Sequence, residues 1–517
     1  MLTDAAATTS GATVFRGGIW NVASRIIPQV YVLIVSVAAA RFLGPDGLGR
    51  QSFIGFVQVS VTMLLSSGLA ISLMRYVGEA IGRRGGDAVR GLIVWAWRLQ
   101  AAGALAGGGA VAAIGIVGAD PRGAWLLAGV ACGIAIVHTV PSALLIGTQL
   151  WRQASIVGIV TGAGAAAATI AVLAVGGGIT GMFAVQAVVS AVNLAWTTRI
   201  ARGALATLGP AVAADLQLRR RVVRFALFET VDILVVLVVW RRSEFFFLDR
   251  FSTDAEIALY SISFSALMLL ALVPDSIGTV ITPALSTWLG AGITDRIRLA
   301  FGRTVRLVAL LAMPITAATL ALGPEALRLV FGEDYEGTGP VLVILVSLFP
   351  LYALSTIGSA VVLAFGKIRV PIAVGLVAAV VNIGLDITLI PRYDAVGAAL
   401  ANSGAQLVAG LPVIVYAVRL TGAIRWEAGR LLVGAFASAC GGLAAWGVLV
   451  AIGGGAGVVL GLLAGCGAFG VCARVLRILP ADDASWLDDR AGGWVGGSVG
   501  WMFRSCAQSA PGGMPAR

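Results

Sequence analysis

Apolar runs of roughly 20 residues, the length a helix needs to cross a bilayer's hydrocarbon core, recur from Ile19 to Leu476 with only short polar breaks. No soluble core absorbs that much apolar surface. Charged residues make up 12% of the chain, against about 25% in ordinary soluble domains, so little is left to clothe an aqueous exterior. The lipid is the principal solvent, and the chain is all membrane segment rather than a soluble domain on an anchor.

Windows of suitable hydropathy start at 19–40 and end at 456–475, with 223–248, 340–364 and 370–390 among them. The positive-inside rule tests the count independently, because a missed helix reverses every later loop. With the N-terminus inside, the outer loops hold six basic residues (Arg41, Arg50, Arg122, Arg250, Arg328 and Arg392), and Arg25, Arg98, Arg241 and Arg242 fall within spans. The other 26 of the 36 basic residues then face inward. The fold expected is an all-α polytopic membrane protein of about 14 transmembrane helices, multi-pass in the bacterial inner (cell) membrane with both termini cytoplasmic.

The longest internal loop divides these spans. An N-terminal six-helix bundle occupies 1–198, a cytoplasmic connection 199–222, and a second six-helix bundle 223–418. Two additional transmembrane helices occupy 419–476, and 477–517 reads as a cytoplasmic tail, acidic and rich in Gly and Ser, expected to be disordered. An even number per bundle makes the repeat parallel. It leaves a faint echo in Arg41-Phe42 and Arg250-Phe251, each followed by an acidic turn.

Several function classes drop out. The net charge of +11 is spread over many loops rather than gathered in one stripe, so no nucleic-acid partner is implied. His138 is the only histidine, which excludes a multi-histidine zinc site, and no metal or other cofactor is expected. Cys132, Cys440, Cys466, Cys472 and Cys506 have no disulfide spacing. No small-residue cleavage site follows the first apolar run, so no removable signal peptide is expected.

Two blocks resemble a known family. One is Ala40-Arg41-Phe42-Leu43-Gly44-Pro45-Asp46-Gly47-Leu48-Gly49 after the first span, whose glycines read as a tight reversal of the chain. The other runs from Leu327 to Asn402 and contains Phe331-Gly332-Glu333-Asp334-Tyr335, Phe365-Gly366-Lys367, Asn382, Leu389-Ile390-Pro391-Arg392-Tyr393 and Val396-Gly397-Ala398-Ala399. Together they resemble Wzx-type polysaccharide (lipid-linked oligosaccharide) flippases of the multidrug/oligosaccharidyl-lipid/polysaccharide exporter superfamily. The resemblance implies a flippase, not an enzyme, that moves polyprenyl-diphosphate-linked oligosaccharide repeat units to the outer leaflet for cell-surface polysaccharide synthesis. Its implied partners are that glycan, membrane lipids and a polysaccharide polymerase.

An ionisable group within a span costs about 2.5–3.5 kcal/mol on insertion scales, which marks each as a candidate for a polar cavity. Arg25, Arg241 and Arg242 are the substrate-binding candidates, because a guanidinium offers a planar fork to a diphosphate. Glu229 and Asp232, three residues apart and level with Arg25, are cavity candidates that could hold that arginine, as is Asp275 after Pro274, with proton or sodium coupling in view. Arg241 and Glu244 have the spacing of a local ion pair, and Asn382 with Asp386 reads as packing polarity. Alternatives are a lipid II flippase, a cation-coupled multidrug or metabolite antiporter and, in another class, an integral-membrane glycan polymerase.

Overall fold

The computed structural model describes residues 11–82, 86–206, 216–240, 243–290, 294–421 and 428–478. Among them the secondary structure is helical without a strand, as the bilayer demands of a chain that must satisfy its own backbone hydrogen bonds. The tail from 479 onward and the central part of the expected connection, 207–215, lie outside the described residues. The rest of that connection is helical, continuing the flanking spans.

In chain order the helices are α1 (Gly11–Gly82), α2 (Gly86–Val117), α3 (Arg122–Gly147), α4 (Trp151–Ala174), α5 (Gly178–Ala206), α6 (Leu216–Trp240) and α7 (Glu244–Phe251). Then come α8 (Asp254–Gly290), α9 (Thr294–Phe331), α10 (Thr338–Ser347), α11 (Phe349–Ala364), α12 (Arg369–Thr421), α13 (Ala428–Ile452) and α14 (Gly454–Val475).

Two of these are far longer than a bilayer is thick. The 72 residues of α1 break at Gly44 (φ 70°, ψ 180°), and the 53 residues of α12 break at Asp394 (φ 49°, ψ −128°). Ten helices among the described residues are long and apolar enough to cross a membrane. Dividing α1 and α12 at their breaks, pairing α10 with α11, and adding α6 accommodates the fourteen crossings read from hydropathy. Two spans expected to be continuous are not. The 340–364 span bends by 42° between α10 and α11, where Pro350 disfavours helical torsions at the residue before it. The 223–248 span is divided between α6 and α7, with Ser243 donating a hydrogen bond to the Val238 carbonyl at 2.7 Å.

The chain forms two compact units. The first comprises Met1–Ser261 with Asp386–Asp394. In it α1 approaches α6 through Gly68, where a Cβ would lie 2.5 Å from Thr230 Oγ1 and overlap the Ala226 carbonyl. Leu73, Val77, Val140, Leu144 and Val222 form a fully buried core nearby. His138 Nε2 shares a hydrogen bond with Thr197 Oγ1 at 3.2 Å, a packing role for the lone histidine.

The second unit comprises Ile262–Leu385 with Ala395–Arg517. There α13 and α14 touch backbone to backbone: a Cβ on Gly441 or Gly465 would sit 2.9 Å from the other's carbonyl oxygen, and one on Gly461 2.8 Å from that of Ala445. The Gly461/Gly465 spacing is thus a packing motif. Gly158, in another pair of the same spacing, faces open space.

Candidate functional site

The first unit holds two fully buried carboxyls. Glu244 opens α7 and Asp386 lies on α12, each 0% exposed, and they are near enough for their charges to interact. Aromatic rings wall the α7 side: Phe245, the residue after Glu244, meets Phe56 edge-on at 5.2 Å and Tyr260 at 5.8 Å, and Phe56 meets Phe246 at 5.0 Å. These rings keep the dielectric low, so a charge on either carboxyl acts strongly on its surroundings.

Helical spacing does not reveal this pair: it offers each acid only a local neighbour, Arg241, which lies outside the described residues, for Glu244 and Asn382 for Asp386. The available signal was depth. With spans at 223–248 and 370–390, both acids fall four residues inside the same membrane face, about 6 Å below it at 1.5 Å per residue.

Beyond the acid pair, the same unit ends in a polar cluster. Arg50 Nη1 donates to Asp249 Oδ1 at 2.8 Å and lies 3.9 Å from Asp254 Oδ1, while its Nε donates to the Asp120 carbonyl at 2.9 Å. Arg50 also lies over the Phe53 ring at 5.8 Å. A recess of about 470 Å³ is lined by Arg50, Asp120, Pro121, Asp249, Ser252 and Asp254. Burial pushes the Asp249 carboxyl up from the usual carboxylate range, and Arg50 opposes that shift. Next to it, Ser252 Oγ donates to Asp394 Oδ1 at 2.5 Å, at the residue where α12 breaks.

This cluster brings the echoing turns together. Arg50 follows the Arg41-Phe42 segment, and Asp249 to Asp254 bracket Arg250-Phe251. Gly49 packs directly on the backbone of Asp254, where a Cβ would overlap the carbonyl oxygen.

The other expected site residues fall in several places. Glu229 is half-buried on α6 and has partners of its own. Asp275, on α8 in the second unit, accepts a hydrogen bond from Tyr352 Oη at 2.9 Å, so this candidate is held by a named donor. Arg25 and Asp232 lie on the helical backbones of α1 and α6, but their side chains are outside the described residues, as are Arg241 and Arg242 altogether. Among the described residues no group of three or more His, Cys, Asp or Glu side chains could hold a metal ion.

Comparison with known proteins places this architecture. A family model described as lipid II flippase MurJ matches residues 154–454. A solved structure of a lipid II flippase MurJ in an inward closed conformation superposes with a TM-score of 0.69 at 12% identity, covering 89% of this chain and 98% of that one. An inward-facing multidrug resistance MATE family transporter of the MOP superfamily gives 0.64 at 14% identity, covering 78% of this chain and 98% of that chain. A MOP superfamily transporter from Pyrococcus furiosus, described as having a binding pocket of reversed polarity, gives 0.58 at 13% identity over 79% of this chain and 95% of its own. Among curated proteins no sequence matches.

Proposed function

The chain belongs to the lipid II flippase MurJ family, and we propose that it carries a lipid II-type substrate, a saccharide on a polyprenyl diphosphate, from the inner to the outer leaflet by alternating access. Transport rather than catalysis follows from the family and the fold. The exopolysaccharide branch suggested by the sequence motifs shares the polyprenyl diphosphate but lacks comparable support, since the family match runs over 154–454 and so includes the Leu327 to Asn402 block itself.

The observation that carries this reading against a drug antiporter is the extent of the likeness. The MATE transporter covers 78% of this chain while matching 98% of its own, whereas the flippase reaches 89%. The difference is about the size of α13 and α14 together. Arginine in the spans, at Arg25, Arg241 and Arg242, also suits an anionic diphosphate better than a cationic drug.

In this proposal those arginines bind the diphosphate, and carboxylates supply the exchangeable counter-charge. Glu229, Asp232 and Asp275 remain candidates for that task, joined by the Glu244–Asp386 pair. Two buried acids whose charges act on one another favour any state that delivers a cation, a proton or a guanidinium between them. That is the requirement for coupling transport to an ion gradient.

The test is depletion of the protein followed by leaflet-specific analysis of lipid-linked precursors. Lipid II accumulating on the cytoplasmic side, relieved by the wild-type gene, is the expected result. Accumulation of a different polyprenyl-linked repeat unit, with lipid II distributed normally, would return the substrate to the exopolysaccharide branch.

A further inference from the structure

We propose that α1 and α6 together form a binding site for the headgroup of an anionic phospholipid, built from Arg75, Arg221 and Arg224 around the Tyr76–Phe225 ring pair. The site is separate from the arginines assigned to the transported diphosphate and does not depend on which glycan is carried.

The rings come first. Tyr76 of α1 and Phe225 of α6 meet edge-on with centroids 6.3 Å apart. Behind them Val77 and Val222 are fully buried, so the platform is anchored in the core of the unit. The close approach at Gly68, two helical turns from Arg75, sets the distance between the two helices.

The charges follow. The Arg75 guanidinium sits 4.8 Å from the Phe225 ring centroid and 5.6 Å from that of Tyr76, and Arg221 lies 6.0 Å from Tyr76. Two guanidinia are therefore gathered on one aromatic ring, with Arg224 one turn along α6 from Arg221. All three are exposed. Among the described residues, none of Arg75, Arg219, Arg220, Arg221 and Arg224 makes an ion pair, and Glu79, one turn beyond Arg75, is already engaged. Stacking leaves a guanidinium's edge donors free, so like charges held this way present their N–H groups to an anion.

The level of the site in the membrane identifies the occupant. Immediately after the arginines, α6 exposes Leu227, Phe228, Val231 and Leu234. An exposed apolar surface on a spanning helix faces acyl chains, so the ring pair marks the boundary between hydrocarbon and headgroups. This end is the one expected to face the cytoplasm, where anionic lipids attract basic segments. A phosphodiester above and acyl chains along α6 match a phospholipid of that leaflet.

The experiment uses the full chain in phosphatidylcholine nanodiscs titrated with phosphatidylglycerol, reading retained lipid by native mass spectrometry and thermal stability in parallel. The wild type is expected to retain phosphatidylglycerol saturably and to melt higher with it. Each basic residue near an anionic surface contributes about fivefold in affinity, so Arg75→Gln/Arg221→Gln/Arg224→Gln should weaken retention by about 100-fold. In phosphatidylcholine alone its melting should match the wild type, since the three side chains are exposed. Arg75→Lys/Arg221→Lys keeps the charge without the planar fork and should still lose several-fold. If that variant binds as wild type, the effect is diffuse surface charge and the site is wrong. Unchanged retention in the triple glutamine variant overturns it equally. Displacement of phosphatidylglycerol by stoichiometric farnesyl diphosphate would assign the arginines to a diphosphate ligand and overturn the phospholipid assignment.

Discussion

Adding one methyl group at Gly49 should separate the two echoing turns. The Cβ of Gly49→Ala would overlap the Asp254 carbonyl oxygen and lie 3.1 Å from Asp254 Cα, where ordinary contact is 3.4–4 Å. Both partners are backbone, so no side chain can swing away, and α1 must retreat from α8 by on the order of 1.5 Å to restore normal contact. Overpacking of this kind costs about 1–3 kcal/mol. The same retreat stretches the 2.8 Å Arg50–Asp249 hydrogen bond. That pair is a quarter to a third exposed, so its loss adds only about 0.2–1 kcal/mol. The expected total is about 1–4 kcal/mol, read as equilibrium unfolding in detergent and as a lowered melting temperature. Asp249→Asn serves as the control, since it loses the charge pair without the clash while Arg50 keeps the Asp120 carbonyl and the Phe53 ring, and should cost no more than about 1 kcal/mol. A Gly49→Ala protein within about 0.5 kcal/mol of wild type, the range of ordinary surface substitutions, would show that the close approach does not hold these helices together.

Gly44→Ala places a side chain at φ 70°, ψ 180°, a region essentially confined to glycine, and should destabilise by about 1–3 kcal/mol, whereas Gly158→Ala, which meets nothing within 4 Å, should be neutral or slightly stabilising by the same assay. In a double-mutant cycle on Ser252 and Asp394, Asp394→Gly should be nearly neutral in the wild type, losing a hydrogen bond but relieving φ 49°. In the Ser252→Ala background it should stabilise, giving a coupling of about 1 kcal/mol, and additivity within about 0.3–0.5 kcal/mol would refute the tie. With native cysteines replaced, Val175→Cys, at a position 83% exposed, and Glu333→Cys should label from outside, and Arg220→Cys and Lys367→Cys should not. The reverse pattern would invert the topology. Glu244→Gln and Asp386→Asn should each abolish ion-gradient dependence of flipping in vesicles, and if only Asp275→Asn does so the coupling site belongs to α8.

The crossings were legible because hydropathy and the basic-loop bias answer to the bilayer alone, without knowledge of which helices are neighbours. The turn glycines were legible only in part. Gly44, Gly47 and Gly49 read alike as residues for a reversal, yet only Gly44 takes a positive φ. Gly49 is helical and is glycine because another backbone passes where its side chain would be. No local pattern distinguishes these two needs. The acid pair is hidden for a related reason: helical periodicity ranks partners three and four residues away, so it points Glu244 to Arg241 and Asp386 to Asn382 and is silent on acids of different spans. Their real proximity depends on which spans pack together. Likewise the turn at Ser243 before α7 is made by neither proline nor glycine, and a window that averages hydropathy passes over it.

The two helices that bring the buried acids together are also the two that are tied at the end of the unit. Asp249, which accepts from Arg50, is five residues beyond Glu244, and Asp394 is eight beyond Asp386, so the ties lie about 7 and 12 Å further along at 1.5 Å per residue. Ser252, capping the end of α7, bonds directly to Asp394. A change of charge between Glu244 and Asp386 that moves α7 against α12 must therefore act against the Ser252–Asp394 bond, and through Asp249 against Arg50 on α1. Aromatic packing of Phe245 and Phe246 on Phe56 resists tilting of α7 at the level of the acids themselves. The weaker resistance is at the polar end, where exchange with water can replace each hydrogen bond as it breaks. If the acid pair exchanges ions in the proposed transport, the polar ties beside Arg50 are therefore the contacts of α7 and α12 that yield first.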